Sequence, residues 1–324
     1  MRNSTINCLV ALLFWAGCGD STGPGRTPPE IVWEQTNAWE QNAPNEAWVT
    51  AIAINSSGNI FAGTIIGVFR STDNGDNWTA VNTGLTSLTI YSLAINPSGE
   101  VFAATGGGVF RSTDNGDNWT AINTGLTNLL ILPLAINSSG NIFAGTSDGV
   151  FRSTDNGDNW TKTGLRKTHN TLAINSSDHI FAGGNSPGVF RSTDNGDNWT
   201  EVNKGLPGIP VNSLAINSRG DIFASIPGFR IDGNVHRSTD NGDSWTKTGL
   251  IKPLNTLAIN SSDHIFAGTA GPPVFRSTDN GDNWTDVSTG LMVAGVVCFA
   301  FNPAGQIFAG TINGGVFRSV EPTI

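Results

Sequence analysis

Six copies of an eight-residue pattern, Ser-Thr-Asp-Asn-Gly-Asp-x-Trp, hold many of the carboxylates that could act as acids, bases or cation ligands. Its first Asp is Asp73, Asp114, Asp155, Asp194, Asp240 and Asp279; its Trp is Trp78, Trp119, Trp160, Trp199, Trp245 and Trp284. A calcium loop of the EF-hand type needs ligands at alternating positions and a distal bidentate Glu, and none of the copies has them. Local physics gives these residues another job. Asp73 can accept backbone N–H bonds in a hairpin, Gly75 can supply a positive φ, and Trp78 can cover the turn with its ring. The pattern therefore reads as a folding clamp with no metal. Hydrolysis by paired carboxyls needs two acids at one cleft; outside the pattern Asp148 and Asp232 are the chief candidates, and they lie in different repeats. The histidines make no triad: His179 and His264 sit in turns, His236 stands where a Phe recurs, and His169 is alone. One Arg per repeat (Arg70, Arg111, Arg152, Arg191, Arg237, Arg276, Arg318) is expected to make a structural ion pair or hydrogen bond.

The elements that carry these residues follow from a longer repeat. Leu-Ala-Ile-Asn-Ser-Ser-Gly-Asn-Ile-Phe-Ala-Gly precedes each Ser-Thr-Asp segment, with starts ending at Asn55, Asn96, Asn137, Asn175, Asn217, Asn260 and Asn302. A period of about forty residues with four short apolar runs fits four strands and four turns. In the second unit these are strand a (Ser92 to Asn96), b (Val101 to Ala104), c (Gly108 to Ser112) and d (Asn118 to Asn123). Consecutive apolar residues in Leu-Ala-Ile and Val-Phe mean that both sheet faces are covered, as in stacked blades with small Ala crowding the axis. The seventh unit stops after strand c at Val316 to Ser319, while Ile31 to Asn37 reads as an orphan strand d. Joining the two removes an unpaired edge. The expected fold is all-β, a seven-bladed β-propeller of four-stranded antiparallel blades over residues 31–321, its last blade closed by the N-terminal strand.

The pattern Ser71-Thr-Asp73-Asn-Gly75-Asp-Asn-Trp78 resembles the Asp-box (BNR repeat) of sialidase-like propellers, and that resemblance implies a box on the face opposite any catalytic site. Phe229-Arg230-Ile231 is similar to the Phe-Arg-Ile-Pro element of sialidases, with Asp232 in place of Pro. Sialidases also need two more arginines, a Tyr/Glu pair and an acid, whereas this chain has Tyr91 as its sole tyrosine and few arginines outside the repeated column. Seven blades in one domain also resemble the photosystem II assembly factor propellers, which act by binding a partner protein.

The a–b turns and the Asp turns are nearly uniform from unit to unit, while the b–c and d–a loops vary. In an up-and-down blade the variable loops share one rim, which makes that rim the expected binding face. Strand-a starts there give a ring of Thr50, Tyr91, Leu132, Asn170, Asn212, Asn255 and Val297, amide-rich on one arc and apolar on the other. The ring fits a peptide or glycan, and packing of the strand starts explains it equally well. Candidate ligand-binding residues are Tyr91, Asp148, His169, Asn170, Asn212, Phe229, Arg230, Asp232 and Asn255. The expected function is non-catalytic binding of protein or glycan by a monomer without cofactor; the alternative is a glycoside hydrolase of the sialidase-like or xyloglucanase-like kind.

Composition and the N-terminus set the compartment. The chain has 324 residues, net charge -9, Gly 40 and only 13% charged residues. That speaks against a disordered chain and against nucleic acid as partner. Arg2 and the apolar run Cys8 to Ala16 read as a secretory signal, too short to span a bilayer as a mature helix. Ala16-Gly17-Cys18 resembles the lipobox of bacterial lipoproteins, which implies cleavage after residue 17, acylation of Cys18 and, with Gly19 rather than Asp next, the outer membrane. Residues 18–30 are biased to Gly and Pro like a solvated linker. Cys298 would then be the one thiol of the folded part, with membrane contact only through the anchor.

Overall fold

The computed structural model describes residues 30–36, 47–167, 170–184, 188–227, 233–271, 273–291 and 295–323. Among them are seven four-stranded antiparallel sheets and no helix. Blade 1 consists of strands a to d at Val49–Ile54, Ile60–Thr64, Gly67–Ser71 and Thr79–Ala80. Blades 2 to 6 repeat that order over 90–121, 134–162, 171–201, 213–251 and 254–286. The a strands of neighbouring blades touch one another all round the ring, the seventh returning to the first. Blade 7 takes Val296–Phe301, Ile307–Thr311 and Val316–Ser319 from the C-terminal end and Trp33–Gln35 from the other. Trp33 lies opposite Ser319, Glu34 opposite Arg318 and Gln35 opposite Phe317. Seven blades and closure by the N-terminal strand therefore stand as expected.

Burial explains the consecutive apolar residues. Strand b of blade 1, Ile60–Thr64, is buried at every position, because one of its faces meets the preceding blade and the other meets the next. The apolar clusters accordingly cross blade boundaries: Phe102 and Ala104 of blade 2 pack with Leu134, Ile142 and Phe151 of blade 3. Burial of this kind stabilises by about 25 cal/mol per Å² of apolar surface, so each blade depends on its neighbours.

Two boundaries differ from the sequence reading. Strand d of blade 2 is only Thr120–Ala121, because its flanking groups bond elsewhere. The Trp119 amide donates to Thr83 O of blade 1 at 2.8 Å, and Asn123 Oδ1 accepts from Val109 N at 2.8 Å. Strand a of blade 2 starts earlier, at Ile90, and its register with strand b skips at Tyr91. Matching skips fall at Thr50, Asn255 and Val297. A β-bulge of this kind re-aims one side chain.

The recurring Trp covers its turn less than it bridges to the blade before. Trp119, Trp160 and Trp245 donate their indole N–H to Val81 O, Ile122 O and Val202 O at 2.7–2.8 Å. Trp199 and Trp284 instead donate to Gly196 O and Gly281 O of their own turns at 2.9 Å. The blades before those two end in the shorter Thr-Lys-Thr-Gly-Leu, which brings Gly164 N and Gly249 N onto the same carbonyls at 3.2 Å. Where the longer connection runs, Gly84 at φ 92 passes so close to blade 2 that a Cβ there would stand 2.1 Å from Trp119 O.

Candidate functional site

The uniform rim uses its polar groups on itself. Asp114 Oδ1 accepts from Ser112 Oγ at 2.8 Å and Asn118 N at 2.9 Å, and its Oδ2 accepts from Asn118 Nδ2 at 2.8 Å. The Asn118 side chain, then the Asn118 amide and Ser112, hold this carboxyl down to about 2. The Asp155 and Asp240 carboxyls are lowered in the same way, by the side chains of Asn159 and Ser244 first. For Asp194 the Asn198 backbone amide is the foremost cause. Burial pushes Asp73 and Asp279 up, but their Asn77 and Asn283 partners outweigh it. Gly116 N donates to Ser112 Oγ at 2.8 Å, and Asn115 takes the left-handed φ of 60° that the turn requires. This is a closed clamp, with carboxylate oxygens directed into their own turn.

The Arg column locks each blade to the next. Arg70 Nη1 donates to Asn115 O at 2.6 Å and to Asp117 Oδ1 at 2.7 Å across the boundary of blades 1 and 2. The same pair of bonds recurs for Arg111, Arg152, Arg191, Arg237 and Arg318. Blade 7 lacks the turn that would receive Arg276, and there the C-terminal tail takes over. Asn260 Nδ2 donates to Thr323 O at 3.1 Å, where Asn55 Nδ2 of blade 1 meets the turn residue Asn115 at Oδ1. Burial lowers the Arg276 pKa.

Two a–b turns carry a further bridge that sequence reading missed. Ser138 donates its N–H and Oγ to the two oxygens of Asp178 at 3.1 and 2.8 Å. Ser218 does the same to Asp263 at 2.8 and 2.7 Å. Both Asp residues stand at positive φ, 57° and 60°, where other units have Gly. The legible signal was Ser-Ser-Asp-His in place of Ser-Ser-Gly-Asn, present in blades 4 and 6.

On the variable rim the structure separates the candidates. Asn212 Nδ2 donates to Leu254 O of the next blade at 3.1 Å, and Asn255 Nδ2 to Thr269 O and Val296 O at 3.2 and 3.3 Å. Thr50 Oγ1 likewise reaches Ile90 O. These ring amides staple strand starts together, the packing explanation of the two. Asn170 is buried at the same level. Tyr91 is half-buried on the ring, and Asp148 is half-buried in a b–c loop, where Thr127 Oγ1 donates to it at 3.4 Å. His169, Phe229, Arg230 and Asp232 lie outside the described residues, as do Cys18 and the rest of the linker up to residue 29. Of the exposed large apolar side chains, Trp48, Ile65, Leu88, Leu129 and Leu130 fall in variable-rim segments of blades 1 to 3 and Ile251 at the same rim in blade 5, while Val32 and Val320 stand at the uniform rim. Among the described residues, no group of three or more His, Cys, Asp or Glu could hold a metal.

A cavity of ≈ 490 Å³ lies in the central channel, and its lining places it at the uniform rim. Its walls are strand-a residues of blades 2 to 6, such as Ile95, Ile136, Ile174, Ile216 and Ile259. Its mouth is made by a–b turn residues Pro97, Asn137, Ser138, Ser176, Asp178 and Asn217. The volume is in the range of small-molecule sites.

A family model described as the DUF6242 beta propeller domain matches residues 27–164. No curated protein matches the chain. Among solved structures, the extracellular domain of the putative one component system BT4673 from B. thetaiotaomicron is similar at TM-score 0.71 and 14% identity, covering 90% of this chain. The chain spans only 40% of that sensor domain's length. YCF48 from Cyanidioschyzon merolae matches at TM-score 0.69 and 16% identity over 89% of this chain and 98% of its own. YCF48 bound to D1 peptide matches at 0.70 and 16%, over 91% and 96%. A catalytically inactive virginiamycin B lyase from Staphylococcus aureus with quinupristin matches at 0.73 and 13%, over 90% and 99%. At these identities the likeness shows the propeller fold.

Proposed function

We propose that the chain is a non-catalytic binding propeller of the bacterial cell envelope that engages a protein partner through its variable rim. The observation that carries this reading is the division between the rims. The repeated Asp-turn carboxylates and most of the arginine column are engaged in clamps and blade locks, whereas variable-rim segments of blades 1 to 3 leave Trp48, Ile65, Leu88, Leu129 and Leu130 exposed. Exposed apolar side chains on one face mark interaction surfaces, and the aliphatic ones among these suit a protein better than a sugar. YCF48 bound to D1 peptide supports a protein ligand, and neighbours that are extracellular domains support the envelope location.

The six Ser-x-Asp-x-Gly-x-x-Trp turns are assigned as Asp-boxes, the chain as a lipoprotein acylated at Cys18 and the site as the outer membrane. Trp33 pairs with Ser319 at the uniform-rim end of strand c, so the described chain enters blade 7 at the rim opposite the proposed binding face.

The test is capture of envelope proteins by the full chain and by the double variant Leu129→Asp/Leu130→Asp, alongside a glycan array. A partner lost only with the variant supports the reading. Capture unchanged by the variant, or glycan binding without protein binding, overturns it. Hydrolysis across a panel of fluorogenic glycosides would favour the hydrolase alternative instead.

A further inference from the structure

The uniform-rim cavity has a chemistry of its own, independent of the variable rim. Its walls are aliphatic, and the strand-a ends Ile136 and Ile174 remain only half-buried where they face it. Each packs in part against an apolar cluster between neighbouring blades, and the same strands bury their central Leu and Ala. One charged side chain lines the cavity, Asp178 at its mouth.

The chain contains its own control for that carboxylate. Asp263 occupies the equivalent turn of blade 6 and takes the equivalent Ser218 bonds. It also has a guanidinium, Arg219 Nη1 at 3.9 Å. At Asp178 the residue corresponding to Arg219 is Ser139, and among the described residues no cation lies within ion-pair distance of Asp178. Two of the four acceptor sites of the carboxylate are taken by Ser138, which leaves two to bond a ligand.

We propose that this cavity binds a small organic ammonium: a molecule with one cationic nitrogen, held by Asp178, and an aliphatic body laid against the Ile wall. Charge complementarity selects the cation over an anion or a neutral chain of the same length. A charge-assisted bond to Asp178 supplies the selectivity, and contact with Ile95, Ile136, Ile174, Ile216 and Ile259 supplies the remaining affinity.

The test is methyl NMR of the full chain carrying labelled Ile, titrated with n-octylammonium, octanoate and octanol below their micelle concentrations. Saturable shifts of the five wall Ile methyls with octylammonium are expected, with octanoate and octanol about tenfold weaker, corresponding to about 1.4 kcal/mol. D178N removes the charge, and S139R supplies the guanidinium that blade 5 has. Each is expected to weaken octylammonium about tenfold while the ligand-free methyl spectrum remains that of the folded propeller. Equal binding of the three probes, equal binding by D178N, or no saturable shift at the wall methyls overturns the proposal.

Discussion

Trp33 Nε1 donates to Val287 O at 2.7 Å across 254 residues of chain, so the N-terminal strand closes blade 7 and also bonds blade 6. Its backbone pairs with Ser319 on one side, and its N–H donates to Thr289 O at 2.8 Å on the other. The ring is shut by the residue that begins it.

Trp33→Ala is therefore expected to cost about 3–5 kcal/mol, the usual penalty for truncating a buried Trp. The same substitution at half-buried Trp284, whose indole bonds its own turn, is expected to cost less. Urea unfolding followed by tryptophan fluorescence compares the two.

The blade locks should depend on the arginine more than on its carboxylate. Arg111 is 20% exposed and Asp158 is 62% exposed at the side chain. Removing the arginine strands the Asn156 carbonyl, which accepts from it at 2.7 Å. Arg111→Ala is expected to lose about 1–3 kcal/mol, and Asp158→Ala about 0–1 kcal/mol. Denaturant midpoints of the two variants give the order directly.

His236 sits in strand c of blade 5 at the place where other blades carry a buried Phe. Burial first, then Lys247 opposite, lowers its pKa from 6.5, and its Nδ1 is buried without a hydrogen-bond partner. The folded state thus resists a proton that the unfolded chain accepts, so stability falls as pH drops below 6.5 towards the folded value. His236→Phe is expected to stabilise by about 1 kcal/mol and to flatten the loss between pH 7 and 5. His264, also lowered by burial first, keeps part of the slope. Urea midpoints measured across that pH range check both statements.

Acid acts on the clamps with the opposite sign of group. Asp114 has a folded pKa of about 2 against an ordinary 3.8, so its contribution is present above 3.8 and is lost as pH falls through 2. The other five first Asp residues are lowered as well. Thermal scans are expected to show a second decline below pH 4, beyond the one due to the histidines, and Asp114→Asn to make it shallower.

Blade number, closure and the clamp role of Asp73 were legible because each rests on a local pattern repeated along the chain. Arg70 was legible as structural, but its partner was not, since Asn115 O and Asp117 belong to the next blade. Tyr91, Asn212 and Asn255 were read as part of a ring of strand-a starts. That Asn212 and Asn255 are spent on Leu254 O and Val296 O depends on blade-to-blade spacing, which no period in the sequence encodes. The cavity was hidden for the same reason: Ile136 and Ile216 look identical to core residues until the channel between them is seen.

The division of labour between the rims is tested most directly by affinity for a captured partner, measured for two double variants. Leu129→Ser/Leu130→Ser alters the variable rim, and Asp117→Ser/Asp158→Ser alters the uniform rim. A loss of about tenfold or more for the first, with less than about twofold for the second, is the expected result. Equal loss for both, or loss only for the second, would contradict the assignment of binding to the variable rim.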